Sequence, residues 1–128
     1  MQAISQLKKE LWKHFSLYVK LKHSENGWAS CFTCGGSIQG SDCHAGHYLS
    51  KGSFPVHYFN EDNVRPQCWD CNINLQGNVE VFRERLIEEV GKEKVDDLYD
   101  KRHFNSKRNK GWYQKRIEYY KNLNKEIL

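Results

Sequence analysis

No stretch of this 128-residue chain approaches the roughly eighteen consecutive apolar residues of a membrane span, and no short apolar block carries the flanks of a secretory signal. A membrane or exported protein is not expected; a cytoplasmic one is. The chain also lacks the length for a second domain of comparable size, and it has no internal repeat or low-complexity tract. Charge of one sign is not in strong excess either. Twenty Lys and Arg against sixteen Asp and Glu leave +4, too little for bulk charge to announce a nucleic-acid partner. The distribution is more telling: five bases and two acids in residues 1–30, six and twelve in 31–100, nine and two in 101–128. The ends are basic and the middle is acidic.

From Cys31 to Gly77 there are only six Val, Ile and Leu residues, too few to order a loop-rich segment against its conformational entropy. A staple is needed, and the cysteines supply one. Their odd number, five, argues against a disulfide framework. Two Cys-x-x-Cys doublets, Cys31 with Cys34 and Cys68 with Cys71, present the four thiolates of a tetrahedral structural zinc site. A redox doublet would need a βαβ alternation that is missing here. Four sulfurs saturate the ion, so chemistry has to lie elsewhere. Cys43 is left over as a small buried hydrophobe, its alternative being replacement of a zinc ligand.

Hydrophobic periodicity predicts the elements around this segment. Ile4, Leu7, Leu11, Phe15 and Tyr18 form one stripe of a helix of about five turns, stopped by Asn26-Gly27. Two short strands are expected near 40–49 and 55–60, and a helix is expected just past Cys71. After Gly77, Val79, Phe82, Leu86 and Val90 share a helical face until Gly91, with Glu80, Glu84, Glu88 and Glu89 expected toward solvent or a partner rather than DNA. A shorter helix carries Val95, Leu98 and Tyr99. A last amphipathic helix starts at Trp112, with Arg116, Tyr119 or Tyr120, Leu123 and Ile127, of which Trp112 and Tyr120 are read as core. The fold class is α+β and mainly helical: an N-terminal amphipathic helix (1–27), a zinc-bound core (28–78) and a helical extension (79–128) in a single domain.

Between the doublets lies a polar block, Asp42-Cys43-His44-Ala45-Gly46-His47-Tyr48, then Phe59-Asn60-Glu61-Asp62-Asn63-Val64-Arg65 up to Cys71-Asn72. His14, His23, His57 and His103 read as surface or satisfied core residues. His47 differs. At the end of a strand facing a helix past Cys71, it would sit across a cleft from Asn72, with His44 or Asp42 nearby. A neutral imidazole beside a metal on nitrogen and oxygen ligands is minimal equipment for phosphodiester hydrolysis.

This order of doublet, strand-end His, loop Asn and second doublet followed at once by Asn resembles the HNH (ββα-metal) nucleases. Ala45-Gly46-His47-Tyr48, Phe59-Asn60-Glu61-Asp62-Asn63, Cys71-Asn72 and Gly77-Asn78 look more closely like the phage NinG/Rap recombination nucleases. The resemblance implies a zinc-stapled HNH core and a metal-dependent endonuclease acting on Holliday junctions and D-loops. It makes His47 the general base, Asn72 a ligand of a catalytic Mg²⁺ or Mn²⁺, and Asn63 a brace for the loop. Many HNH nucleases carry a ligand just before the base, where this chain has Gly46, and the family pattern has Asp at the place of His44. The missing ligand is therefore assigned to His44, with Asp42 as alternate, an arrangement suited to softer ions such as Mn²⁺ or Ni²⁺. Arg65 is a candidate for transition-state charge, against a structural ion pair.

Lys107, Arg108 and Lys110, then Lys115 and Arg116 with Trp112 and Tyr113 interleaved, form a candidate phosphate-tracking strip for branched DNA. Two other readings stand beside the branch-selective enzyme: an HNH restriction or nicking nuclease on duplex DNA, and a zinc-dependent nucleic-acid-binding module without catalysis. Resolution of a junction needs two symmetric incisions, which implies a homodimer, with the amphipathic terminal helices as a candidate interface.

Overall fold

The computed structural model describes residues 2–128. Helix α1 (Ile4–Lys22) buries Leu7, Leu11, Phe15 and Val19, one residue per turn, while Ile4 at its frayed start is exposed. It ends four residues before Asn26-Gly27, which does a different job from the expected helix stop. Asn26 (φ 54°) and Gly27 (φ 82°) are both left-handed, as a two-residue hairpin turn requires, and they join strands β1 (Ser24–Glu25) and β2 (Trp28–Ser30). Strand β3 (Ser37–Ile38) completes this small antiparallel sheet.

A second sheet has two antiparallel strands, β4 (His44–His47) and β5 (Val64–Gln67), with His47 opposite Val64 and His44 opposite Gln67. The strand expected at 40–49 is thus shorter. The one expected at 55–60 is not a strand: Pro55 opens a 3₁₀ turn, Pro55–His57, and Tyr58 and Phe59 stack on each other at 4.4 Å. A further turn, Glu61–Asn63, capped by the Asn60 side chain accepting from the Asp62 amide, delivers the chain to β5.

Past Cys71 the expected helix is one π-type turn, Asp70–Asn74. Gln76, Gly77 and Asn78 then all take positive φ and reverse the chain into α2 (Val79–Val90). Gly91 (φ 94°) separates α2 from α3 (Lys92–Asp100). Helix α4 (Lys110–Ile127) begins two residues earlier than expected because Asn109 caps it, accepting from the Trp112 amide at 2.8 Å. Its buried stripe is Tyr113, Ile117, Tyr120 and Asn124. Tyr113 is therefore core, whereas Tyr119 and Ile127 are exposed.

Three clusters make up the interior. The first packs α1 on α4 and β5, through Leu11, Phe15, Val64 and Tyr120, with Trp112 half-buried at its edge. A second joins α2 and α3 to Tyr48 and Leu49. The third surrounds the cysteines and has only Ala29 and Ile38 besides them. Each fully buried Phe or Leu contributes about 1.5–3 kcal/mol, so the first two hold themselves together and the third does not. Glu80, Glu84, Glu88 and Glu89 face solvent. No helix among the described residues is long and apolar enough to cross a membrane.

Candidate metal centre and adjoining cleft

The Sγ atoms of Cys31, Cys34, Cys68 and Cys71 all lie within 4.8 Å of one another. A tetrahedral zinc with Zn–S bonds of about 2.3 Å spaces its sulfurs at about 3.8 Å. The Cys34–Cys68 pair lies at that spacing, 3.8 Å. The residues fit the ion. Backbone geometry prepares them: the Cys31 amide donates to Gly36 O at 2.7 Å and the Gly35 amide to Cys31 O at 2.9 Å, a knuckle made possible by Gly35 at φ 80°. Burial would raise the Cys31 thiol, but hydrogen bonds from the Cys34, Cys68 and Thr33 backbone and the Thr33 hydroxyl outweigh it and lower it to about 6. Burial and the surrounding thiols push Cys68 up to about 12. One thiolate forms readily, and full ionisation of the four calls for a cation. Cys43 stands outside the set, buried, with its thiol raised by that burial.

Next to this centre is a cleft of about 650 Å³, lined by His44, His47 and Asn72 together with Trp12, Lys20 and Lys51. Strand β4 supplies the two histidines and the π-type turn supplies Asn72. The Asn72 amide nitrogen lies 3.3 Å from His44 Nδ1. His47 Nε2 is 3.0 Å from the Tyr58 carbonyl oxygen. A carbonyl only accepts, so Nε2 carries the proton of the neutral ring and Nδ1 is left as the basic nitrogen. The ring is stacked on Trp12 (5.2 Å, 20°) and meets the edge of Tyr58 (5.5 Å). Burial, and in smaller part the charge of Lys51, lower the His47 pKa to about 4 against the opposing Tyr58 hydrogen bond. Asp and Glu are missing from the lining. The cleft is cationic, with one neutral imidazole held ready as an acceptor.

The remaining sequence-derived candidates separate into those near the cleft and those away from it. Asn63 is fully buried and braces the loop: its side chain accepts from the Leu49 amide at 2.8 Å and donates to Leu49 O and His57 O at 2.9 and 3.2 Å. Asp42 is exposed and does not line the cleft; His44 does. Arg65 takes the second of its two readings, a structural ion pair. It is buried on β5, bonded to the Glu61 and Val64 carbonyls and paired with Glu89 at 3.1 Å, because a buried guanidinium must satisfy its five donors locally. It does not reach the cleft. Among the basic strip, Lys107 and Lys115 are exposed, Lys110 is half-buried, and Arg108 and Arg116 line a different cavity. His57 is satisfied core, its ring nitrogens bonded to Leu98 O and the Asn60 amide.

Gly46 has a structural reason. A Cβ there would lie 1.8 Å from Gln67 Oε1. Gln67 is completely buried and its amide donates to Thr33 Oγ1 and Gly77 O, tying the cysteine knuckle to the turn before α2. A side chain at position 46 would have to displace the buried Gln67 amide and its two hydrogen bonds. Sequence reasoning missed Trp12, Lys20 and Lys51. The signal for the first two was present in their spacing of eight residues, which places both on one face of α1, beside the apolar stripe. Nothing in the sequence pointed that face at the histidines of residues 44 and 47, more than twenty residues further on.

The profile of the family described as "Bacteriophage Lambda NinG protein" matches residues 1–128. The chain is similar to the protein named ninG of Escherichia phage lambda, 37% identical over 68 residues, which is 53% of this chain and 33% of that protein. The ninG proteins of Escherichia phage 933W and Salmonella phage P22 are each 35% identical over 68 residues, with the same shares covered. The matched segment spans about a third of the length of these curated relatives. No solved structure matches the chain. With a family match over its whole length, the chain belongs to the bacteriophage lambda NinG family.

Proposed function

We propose that this chain is a metal-dependent, structure-selective DNA endonuclease with an HNH (ββα-metal) core, hydrolysing phosphodiesters in Holliday junctions, D-loops and related branched intermediates in the cytoplasm of a bacterial host. One observation carries the reading: His47, His44 and Asn72 converge in a cleft flanked by Lys20 and Lys51 and free of carboxylates. Such a lining draws a phosphate and repels nothing anionic. The two strands β4 and β5 and the turn of Asp70–Asn74 supply the ββα element, on a scaffold clamped by structural zinc.

His44 and Asn72 would hold a catalytic divalent ion, Mg²⁺ or Mn²⁺, which would supply positive charge to offset the negative charge that develops on the phosphate. An imidazole and an amide as the donors favour Mn²⁺ or Ni²⁺ over Mg²⁺. His47 Nδ1 takes the proton of the attacking water, while Nε2–H stays on the Tyr58 carbonyl and keeps the ring oriented. Lys20 and Lys51 hold the phosphate, and Asn63 keeps the 49–63 loop in place as a positioning residue. The products are a 5′-phosphate and a 3′-hydroxyl. Arg65, spent on Glu89, has no part in this chemistry. Two incisions across a junction call for a homodimer, and its interface is not the stripes of α1 and α4, which are buried against each other.

The lack of a carboxylate in the lining favours a second reading, a zinc-stapled nucleic-acid-binding module without catalysis. Linear, forked and four-way DNA, each incubated with Mn²⁺, Mg²⁺ or a chelator that spares the structural zinc, separate the possibilities. Divalent-ion-dependent cutting of the branched substrates alone is expected. Equal cutting of linear duplex would indicate a restriction or nicking enzyme, and binding without cutting would establish the module.

A further inference from the structure

A second cavity, about 470 Å³, lies between α4 and the Pro55–Asp62 segment, and its volume is within the range of roughly 300–1,000 Å³ usual for small-ligand sites. Its lining combines flat rings with cations. Tyr58, Phe59 and Trp112 supply aromatic surface, and Lys8, Arg108 and Arg116 supply charge. The Arg108 guanidinium lies 5.4 Å from the Trp112 ring centre, and that of Arg116 lies 4.6 and 5.0 Å from Tyr119 and Tyr120. Glu61 and Asp62 also face this cavity, but each is paired with a lysine outside it, Glu61 with Lys22 at 3.5 Å and Asp62 with Lys94 at 3.9 Å. Lys8, Arg108 and Arg116 make no ion pair among the described residues. The cavity therefore holds three cations without an ion-pair partner above aromatic rings, Arg116 donating to the Tyr120 hydroxyl and Arg108 to the Asn105 and Lys107 carbonyls, beside two oxygen acceptors and the Asn60 side chain. An inorganic anion would use the cations alone; only a ligand with a flat, hydrogen-bonding ring and an attached phosphate uses all of these groups.

We propose that this cavity binds a single unpaired nucleotide, its base against the aromatic rings and its phosphate on Lys8, Arg108 and Arg116. Paired bases are stacked inside a duplex and do not reach such a recess, so the site selects residues exposed at a branch point. Tyr58 joins it to the cleft. It lines the cavity, and its main-chain carbonyl holds His47. An extruded nucleotide here would set the neighbouring strand against His47, which makes branch selection a property of the chain's own surface. This inference deepens the nuclease reading and rests on it for its meaning, but binding tests it without cleavage.

The experiment is fluorescence anisotropy of the zinc-loaded full chain, without added catalytic ion, against a labelled twelve-residue single strand of thymidylates and a labelled duplex of the same length, with free thymidine monophosphate as competitor. Single-strand binding stronger than duplex binding is expected. Arg108→Glu and, separately, Lys8→Glu, both at the surface, should weaken the single strand by about tenfold or more, the size of one lost charge-assisted contact, and the duplex much less. Displacement by the monophosphate at millimolar concentration would show that the recess takes a nucleotide by itself; no displacement with the strand preference intact would show that it needs the flanking chain. An equal loss for single strand and duplex, or no loss in either variant, would overturn the proposal. Cutting of branched DNA that persists in both variants would leave the nuclease reading standing while this one fell. Selective single-strand binding without any cutting would do the reverse.

Discussion

The behaviour of His47 follows from where its two nitrogens are. With Nε2 committed to Tyr58 and the ring sandwiched against Trp12, burial disfavours the imidazolium, and the pKa falls from its ordinary 6.5 to about 4. Its folded-state pKa is thus below the unfolded value. The neutral ring contributes stability that is fully present above about pH 6.5 and is lost as pH drops toward 4, in total on the order of 3 kcal/mol. The same titration removes the proton acceptor. Cleavage measured as kcat/KM should hold level from neutrality down past pH 6 and fall with an acid limb near 4, checked by a pH series with melting temperature recorded alongside. An acid limb near the ordinary 6.5 would place the base in a more solvated setting than the cleft provides.

At the scale of elements, the four-cysteine knuckle is the part that cannot stand alone. Its cluster contains one alanine and one isoleucine besides cysteines, whereas α1 and α4 share a core of large side chains. Zinc bound by four thiolates contributes on the order of 10 kcal/mol, comparable with the stability of a whole small domain. Stripping it with a strong chelator should therefore accelerate amide exchange in 28–38 and 68–77 while the middle turns of α1 and α4 stay protected, as hydrogen exchange would report. Uniform protection after verified zinc loss would contradict the staple. These two kinds of element were also unequally legible. The helices and the four cysteines declare themselves through local spacing, and the turn of Asn26-Gly27 was visible but read as a stop. Strand β5 was placed some eight residues too early because all four of its residues are buried and it includes Arg65 and Pro66, so neither alternation nor strand propensity marks it. Asn72 and His47 were legible as a pair. The third wall of their cleft, on α1, was not, because that contact depends on α1 packing across β4 and β5 and leaves no trace in a local pattern.

In the whole molecule α1 packs on α4, which brings the two basic ends of the chain together, while eight of the twelve acids of residues 31–100 fall on α2 and α3. The cleft is assembled from residues 12 and 20, 41–51 and 72–77, three segments that only the folded chain unites. Both cavities draw cations from the basic ends, Lys8, Arg108 and Arg116 in one and Lys20 in the other. All of this depends on one imidazole acting as the base, and replacing it tests that most directly. Cleavage of four-way DNA by His47→Ala, with zinc content and melting curve measured on the same preparation, should fall by at least about a hundredfold while one zinc per chain is retained. Undiminished cutting by a folded, zinc-loaded His47→Ala protein would contradict the account.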